Sequence, residues 1–195
     1  MGRKREHDAA TGQALLETAE ALIAEGGLSA VSVRALAEGV GTSTRAVYSV
    51  FGSKHGLEQA LIGRTFRLLG AEVERRPASD DPCADVIAAV TQSFRGFVRD
   101  HPDLFRLVFT PAPGQVFDED ACSESLRAWE TLLRRIRRAQ AAGLLRPGDP
   151  MPMAIGLSSL GTGLAVTELA GLLPPDQAQD LWEASVGTFV AGLAC

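Results

Sequence analysis

A short stretch near residue 45 places hydroxyl, guanidinium and phenol groups at helical spacing. Ser43 can cap a helix that starts behind it, and the free N–H groups of a helix N-terminus favour a phosphate. Thr44 and Arg45 fall in the first turn of that helix, and an arginine can donate two hydrogen bonds to a guanine edge. Tyr48 lies one turn further on, where its hydroxyl can reach another phosphate. These groups are suited to contacting nucleic acid.

Side chains that could catalyse a reaction or bind a metal are few and scattered. Of the three histidines, His7 and His55 lie in the N-terminal third and His101 lies near the middle. No Ser-His-Asp set, paired carboxylates, metal-ligand spacing or phosphate-binding glycine loop is found. The three cysteines show no C-x-x-C spacing and their number is odd. An enzyme is one class considered, but the sequence predicts no enzymatic activity, no metal and no cofactor.

Two short helices joined by a tight turn carry the polar groups described above. The first spans about 33–39 with Ser32 as its N-cap, and the second spans about 44–50 after a turn that contains Gly41. Apolar contacts between the two helices are expected from Leu36, Ala37, Val40 and Val47. This is the helix-turn-helix pattern, in which the second helix presents its N-terminal residues to the major groove of DNA.

The segment 32–57 resembles the N-terminal domain of the TetR family of bacterial transcription regulators. The positions that match the family pattern, without a gap, are Ser32, Leu36, Ala37, Gly41, Ser43, Tyr48, Phe51, Lys54 and Leu57. The sequence departs from that pattern at Thr42 in the turn, at Arg45 where glycine is common, and at Val50 where an aromatic residue or histidine is common. These departures affect which bases and phosphates are contacted, and they leave the expected fold unchanged.

The resemblance implies a DNA-binding surface that includes a phosphate contact by the lysine at the start of the fourth helix. The candidate residues are Arg3, Lys4, Arg5, Ser32, Arg34, Thr42, Ser43, Thr44, Arg45, Tyr48, Ser49 and Lys54. The basic tip, 3–5, can follow the DNA backbone or minor groove, or it can be a disordered, solubilising end. Ser32 is expected to cap a helix whether or not it also contacts a phosphate. Arg34 is equally well explained as a solvated surface residue. Phe51 and Leu57 are expected in the core.

Helical periodicity extends over the rest of the 195 residues. Further helices are predicted at about 9–25, 54–75, 83–100, 103–109, 118–142, 152–170 and 176–193. In the helix at 118–142, Leu126, Trp129, Leu133 and Ile136 are expected on the inner face, and Arg134, Arg135, Arg137 and Arg138 on a solvated outer face. The expected fold is all-α and TetR-like, with about nine helices. A three-helix DNA-binding head at 1–55 is joined to a ligand-binding and dimerisation body at 56–195.

The charge distribution is uneven. The net charge of −5 argues against a non-specific nucleic-acid binder. Residues 1–55 carry six basic and six acidic side chains, whereas the remainder carries thirteen and eighteen. The charge-free stretch 150–167 is barely long enough to span a membrane, contains glycine and hydroxyl residues, and lacks basic flanks, so a membrane span is not expected. No signal-peptide core is found, and a cytoplasmic location is expected.

The last two helices are expected to pair with those of a second subunit. Apolar and small residues there recur at three-and-four spacing, and a symmetric dimer would bury them. The candidate interface residues are Leu157, Gly161, Leu164, Leu181, Trp182, Ser185 and Phe189. The alternative is that both helices simply complete the core of a single chain.

A ligand pocket in the body would lie among the fourth helix, the helix at 83–100, the long helix and the charge-free helix. Such pockets are mostly apolar with a few polar groups, which indicates a small apolar effector. The candidate residues are Phe66, Phe97, His101, Arg106, Phe109, Trp129, Ser159 and Thr162. Each of these residues is also explained as ordinary core or surface.

The expected function follows from the head and the body together. The sequence predicts a DNA-binding transcription regulator, acting as a homodimer on a palindromic operator and released by a small ligand. The alternative within the same class is a dimeric DNA-binding protein that has no small-molecule effector. Salt-dependent, sequence-specific DNA binding would distinguish either regulator from an enzyme.

Overall fold

The computed structural model describes residues 2–111 and 114–194, and nine α-helices follow one another in this part of the chain. They are α1 (Gly2–Gly26), α2 (Val33–Val40), α3 (Thr44–Phe51), α4 (Lys54–Glu74), α5 (Pro82–Ala88, Ala89–Phe94 and Arg95–Asp100 in unbroken succession), α6 (Pro102–Phe109), α7 (Glu119–Ala141), α8 (Met151–Leu169) and α9 (Ala178–Ala191). The predicted all-α class and number of helices are confirmed.

The helix boundaries agree with the prediction except at the N-terminus. Helix α1 begins at Gly2 rather than near residue 9, so the backbone of residues 3–5 is helical. Helix α5 ends at Asp100, and the backbone of the next residue, His101, leaves the helical region at φ −134° and ψ 58°. Pro102 follows, and a proline disfavours the α conformation of the residue before it.

One compact unit consists of Met1–Thr65 together with Asp103–Glu124. Its core contains Leu15, Ala19, Ile23, Leu36, Val47, Leu57, Leu61, Leu104 and Phe105. An ion pair of 2.5 Å between Glu20 Oε1 and Arg64 Nε joins α1 to α4 within this unit. Helix α6, which the sequence analysis assigned to the body, therefore groups with α1–α3.

The second compact unit consists of Phe66–Pro102 together with Ser125–Cys195. Its core contains Val86, Val90, Phe94, Phe97, Leu133, Ile136, Leu157, Ala165, Trp182 and Val186. The rings of Phe94 and Trp182 lie 6.4 Å apart. A Cβ at Gly161 would lie 3.2–3.3 Å from Val90 and Phe94, so the small residue permits close packing of α8 against α5. The division between the units falls inside α4, and the predicted functional boundary at 55/56 stays a prediction.

The middle of α5, Ala89–Phe94, is a π-helical turn, and almost all of its residues are buried. Two hydroxyl groups bond to backbone carbonyls there. Thr91 Oγ1 donates to the Ile87 carbonyl at 3.1 Å, and Ser93 Oγ donates to the Glu72 carbonyl at 3.2 Å. The second of these bonds ties α5 to the C-terminal end of α4.

One residue of α7 does not lie on the face predicted for it. Leu133 and Ile136 are buried as expected, but Leu126 is 66% exposed and Trp129 is half-buried. The inward stripe of α7 instead includes Ala121, Thr131 and Ala139. The expectation for Leu126 was therefore wrong.

The described residues contain neither a membrane-spanning helix nor a cluster of metal ligands. None of their helices combines the length and hydrophobicity that crossing a bilayer requires. No three His, Cys, Asp or Glu side chains among them are grouped so that they could hold a metal ion.

Candidate nucleic-acid interface and ligand sites

Two serine residues cap the two short helices α2 and α3. Ser32 Oγ accepts a hydrogen bond from the Ala35 N–H at 3.1 Å, and Ser43 Oγ accepts one from the Ala46 N–H at 3.2 Å. Each cap satisfies one of the N–H groups that a helix N-terminus leaves without a partner, and is typically worth about 1 kcal/mol. The cap at Ser43 thus fixes the start of α3 at Thr44, the first of the candidate DNA-contacting residues on this helix.

The turn between α2 and α3 depends on Gly41. Its backbone has φ 70° and ψ 34°, in the left-handed region that side chains disfavour. The Thr42 N–H donates to the Ala37 carbonyl at 2.8 Å, which closes the end of α2. Open space surrounds the position of a Cβ at Gly41, so the requirement for glycine there is conformational and does not come from packing.

Helix α3 has two distinct faces. Val47 is buried, and Ala46, Val50 and Phe51 are half-buried. The opposite face exposes Thr44, Arg45, Tyr48 and Ser49, at the i, i+1, i+4 and i+5 spacing of a single helical face. The structure thus brings together the four predicted α3 residues, and their contact with DNA stays a prediction.

The other candidate DNA contacts have varied surroundings. Arg34 is exposed and forms a 2.9 Å ion pair with Glu38 one turn later, so a phosphate would have to compete with that carboxylate. Ser43 is exposed and Thr42 is half-buried. The side chains of Arg3, Lys4 and Arg5 lie outside the described residues.

Lys54 is exposed at the start of α4 and also borders a small cavity of about 240 Å³ within the first unit. The other lining residues are Leu28, Val31, Leu57, Glu58, Leu61 and Leu107. No local pattern in the sequence indicates this cavity, because its walls come from α4, α6 and the turn after α1, which are far apart along the chain.

The predicted ligand-binding residues are not gathered into one described cavity. Arg106 and Phe109 belong to the first unit, whereas Phe66, Phe97, His101, Trp129, Ser159 and Thr162 belong to the second. None of the eight lines the cavity beside Lys54 or a second cavity, of about 440 Å³, at the C-terminal end of α4. Neither cavity supports their role as a single ligand site, which stays a prediction.

Several of these residues have local roles that explain their position. The Phe97 and His101 rings lie 5.3 Å apart at the end of α5. Arg106 is exposed and pairs with Asp103 at 3.0 Å along α6. Ser159 is exposed on α8, and its place in a ligand site stays a prediction.

Three predicted interface residues are interior to the chain. Leu157 and Trp182 have no exposed surface, and Gly161 is buried against α5. A partner subunit cannot reach side chains that are completely covered, so the interface assignment of Leu157 and Trp182 was wrong, and that of Gly161 stays a prediction. Leu181 is exposed, and Leu164, Ser185 and Phe189 are half-buried. The Phe189 ring covers Gly156, where a Cβ would lie 2.5 Å from it.

A buried ion pair that the sequence analysis missed joins α5 to α8. Arg95 Nη2 lies 2.7 Å from Glu168 Oε1, and both side chains are largely buried. Trp182 Nε1 donates to Glu168 Oε2 at 2.7 Å, and the Arg95 guanidinium lies over the Trp182 ring at 6.0 Å. The hydrogen bond from Arg95 lowers the pKa of Glu168 and outweighs the opposing effect of burial. The two charges are 73 residues apart, and no local pattern relates them.

Three of the four α7 arginines bond to groups outside α7, which the expected solvated outer face did not include. Arg135 Nη2 donates to the carbonyls of Val73 and Arg76 at 2.7 and 2.8 Å, which closes the end of α4. Arg134 pairs with Glu74 at 2.6 Å, and Arg138 pairs with Asp85. Arg134 and Arg137 are 57% and 50% exposed, as a solvated outer face requires, and Arg137 pairs with Glu130 on α7 itself.

Two family models match the sequence. One is described as Bacterial regulatory proteins, tetR family, and covers residues 15–61. The other is described as Tetracyclin repressor-like, C-terminal domain, and covers residues 87–189. No curated protein matches the chain.

Solved structures share the fold. A protein of unknown function from Rhodococcus sp. RHA1 is 27% identical over 95% of each chain, with a TM-score of 0.80. The TetR-family regulator PfmR from Thermus thermophilus is 22% identical over 90% of this chain and 93% of its own, with a TM-score of 0.62. RolR, solved with the ligand resorcinol, is 17% identical over 93% and 87%, with a TM-score of 0.68. The predicted TetR-like fold is confirmed.

Proposed function

The chain belongs to the TetR family of bacterial transcription regulators, and we propose that it is a repressor that binds a two-fold-symmetric operator as a homodimer and is released by a small ligand. Membership of this family makes it a DNA-binding transcriptional regulator. The observation that carries the proposal is the exposed polar face of α3, fixed by the Ser43 cap and the Gly41 turn.

The side chains of the head divide into two roles. Arg45 and Thr44 read base edges in the major groove, because they lie on the exposed face in the first turn of α3. Tyr48, Lys54 and the N-terminus of α3 at Ser43 contact phosphates and set the register on the duplex. Arg3, Lys4 and Arg5 add phosphate or minor-groove contacts from the start of α1.

An uncharged exposed face on α8 and α9 supports the homodimer. It consists of Ile155, Ser159, Gly163 and Val166 on α8, of Ala170 directly after α8, and of Leu181, Ala184, Thr188 and Ala191 on α9. Ile155 is 51% exposed and Val166 is 44% exposed, which is costly in water unless a partner covers them. The same two helices from a second copy would present a self-complementary surface, as a two-fold interface requires.

Ligand release is supported by the continuity of α4. This helix runs without a break from Lys54, the proposed phosphate contact, to Glu74 in the second unit. A ligand that binds at the C-terminal end of α4 can shift the helix and change the spacing of the recognition helices. That spacing must stay near 34–36 Å, or a multiple of it, for both to enter the major groove. RolR, which shares the fold, was solved with resorcinol bound.

Selection of binding sites from random duplex DNA tests the proposed function. The purified protein should enrich a palindromic sequence with two half-sites about one helical turn, or a multiple of a turn, apart. Binding to the selected sequence should weaken steeply with salt, because several phosphate contacts release counterions. Failure to enrich any sequence would contradict the proposal, and enrichment of a single half-site would contradict the symmetric dimer.

A further inference from the structure

A cavity of about 440 Å³ in the second unit is lined by an unusual concentration of charge. Its walls include the guanidinium groups of Arg76, Arg134, Arg135 and Arg138 and the carboxylates of Glu74 and Asp85. The cavity lies where the end of α4, the loop after it and the C-terminal half of α7 meet. Its volume is in the range of sites that bind small organic molecules.

Both carboxylates are already engaged. Asp85 accepts hydrogen bonds from the Ser79 N–H at 3.0 Å and from its hydroxyl at 2.8 Å, and it pairs with Arg138. Burial would raise the pKa of Asp85, but these bonds outweigh it and hold the pKa below its usual value. Glu74 pairs with Arg134 at 2.6 Å. The two acidic groups therefore neutralise only Arg134 and Arg138.

Arg76 and Arg135 are left without a carboxylate partner among the described residues. Arg135 donates to two carbonyl groups, which carry no net charge. The Nε of Arg76 is buried and has no hydrogen-bond partner in the described part of the chain. Burial and then the neighbouring arginines lower the pKa of Arg135, despite the opposing effect of Asp85. A buried cationic donor without an acceptor is costly, and an anion or water would satisfy it.

We propose that this cavity binds a small organic anion, a carboxylate or phosphate joined to a compact apolar body, with Arg76 and Arg135 as its principal ligands. A guanidinium binds two oxygens of either group through parallel hydrogen bonds. Val73 and Pro77 provide apolar wall for the rest of the molecule. This ligand differs from the purely apolar effector that the sequence analysis expected.

A bound anion can affect the end of α4 through Arg135, and this part of the inference rests on the proposed function. Arg135 closes α4 by donating to the carbonyls of Val73 and Arg76. An anion that draws the guanidinium toward itself competes with those carbonyls and loosens the end of α4. The helix begins at Lys54, so the change reaches a proposed DNA contact.

Binding is tested on the full chain with benzoate and phenyl phosphate as probes, at matched ionic strength, by calorimetry and thermal shift. Benzyl alcohol is the neutral control. Both anions, or one of them, should bind and raise Tm, whereas benzyl alcohol should not. Equal binding of benzyl alcohol, or no binding of either anion at millimolar concentration, would mean that the cavity holds only water and would overturn the proposal.

Arg76→Met is the decisive variant, because no described bond uses the Arg76 side chain and folding should be preserved. It should weaken anion binding about tenfold or more, the loss expected for one charge-assisted contact. Arg137→Met removes an α7 arginine that does not line the cavity and should bind like wild type. Equal affinities of the two variants would place the anion elsewhere and refute the site.

A second measurement separates the anion site from the proposed function. Affinity for the selected DNA is measured with and without the anion, in wild type and Arg76→Met. The anion should weaken DNA binding of wild type, and Arg76→Met should need about tenfold more anion for the same effect, while DNA should weaken anion binding to wild type by the same factor as anion weakens DNA binding. Anion binding that depends on Arg76 but leaves DNA affinity unchanged would uphold the site and overturn its coupling to α4. A protein that binds the anion but selects no DNA would refute the proposed function alone.

Discussion

Arg45 and Lys54 represent two kinds of DNA contact at the scale of single residues. We expect Arg45→Ala to cost about 1–3 kcal/mol on the operator and to relax specificity at one position in each half-site, because Arg45 is proposed to read a base. Lys54→Ala should weaken operator and random DNA alike and lower the salt slope, because a phosphate contact carries no sequence information. Fluorescence anisotropy with operator and random DNA, over a range of salt concentrations, measures the affinities and salt slopes of both variants. Equal losses on both DNAs for Arg45→Ala would contradict its base contact.

Glu168 governs a pH-dependent part of the stability. Its pKa is lowered in the folded chain, so the ionised carboxylate stabilises the fold above the usual value of 4.5, and this stabilisation is lost as the pH falls through the lower folded pKa. Glu168→Ala should destabilise the chain at pH 7 by about 3–5 kcal/mol, because the buried Arg95 loses its partner. The difference from wild type, measured by urea unfolding, should shrink between neutral pH and pH values below 4.5. A difference that is constant with pH would mean that Glu168 acts only by packing.

At the scale of elements, the turn between α2 and α3 depends on one backbone conformation. Gly41→Ala should lower the free energy of unfolding by about 1–2 kcal/mol, because alanine disfavours a φ of 70°. Gly96→Ala is the matched control. It lies inside α5, also has open space around the Cβ position and has no positive φ, so alanine should stabilise the helix by up to about 1 kcal/mol. Thermal unfolding and operator binding check both variants, and equal effects would contradict the conformational explanation.

At the scale of the whole molecule, the exposed face of α8 and α9 should hold two chains together. Ile155→Glu and Leu181→Glu should each yield a monomer in sedimentation experiments, because an unpaired charge would be buried at the interface. Leu126→Glu is the control, since Leu126 is an exposed leucine on a different helix, α7. Each monomeric variant should also lose affinity for a two-half-site operator while keeping its helical content. A wild-type chain that sediments as a monomer at micromolar concentration would refute the dimer.

The sequence by itself determined the features that depend on neighbours in the chain. Helix periods, the caps at Ser32 and Ser43 and the glycine turn at Gly41 are local, and they were enough to predict an all-α fold. The family followed from the resemblance of residues 32–57 to the TetR pattern. The exposed face of α3 followed from the same periodicity, because residues one turn apart share a face.

Only the tertiary structure decided which residues of the body are buried and which charged residues form ion pairs with one another. Sequence spacing could identify an apolar stripe on α9 but not whether the chain or a partner covers it, and Trp182 proved to be fully buried. The Arg95–Glu168 pair and the arginine cavity join residues more than fifty positions apart, through charges that look like solvated surface in the sequence. Burial and charge pairing depend on how distant helices pack together, and the local pattern of a helix does not contain that information.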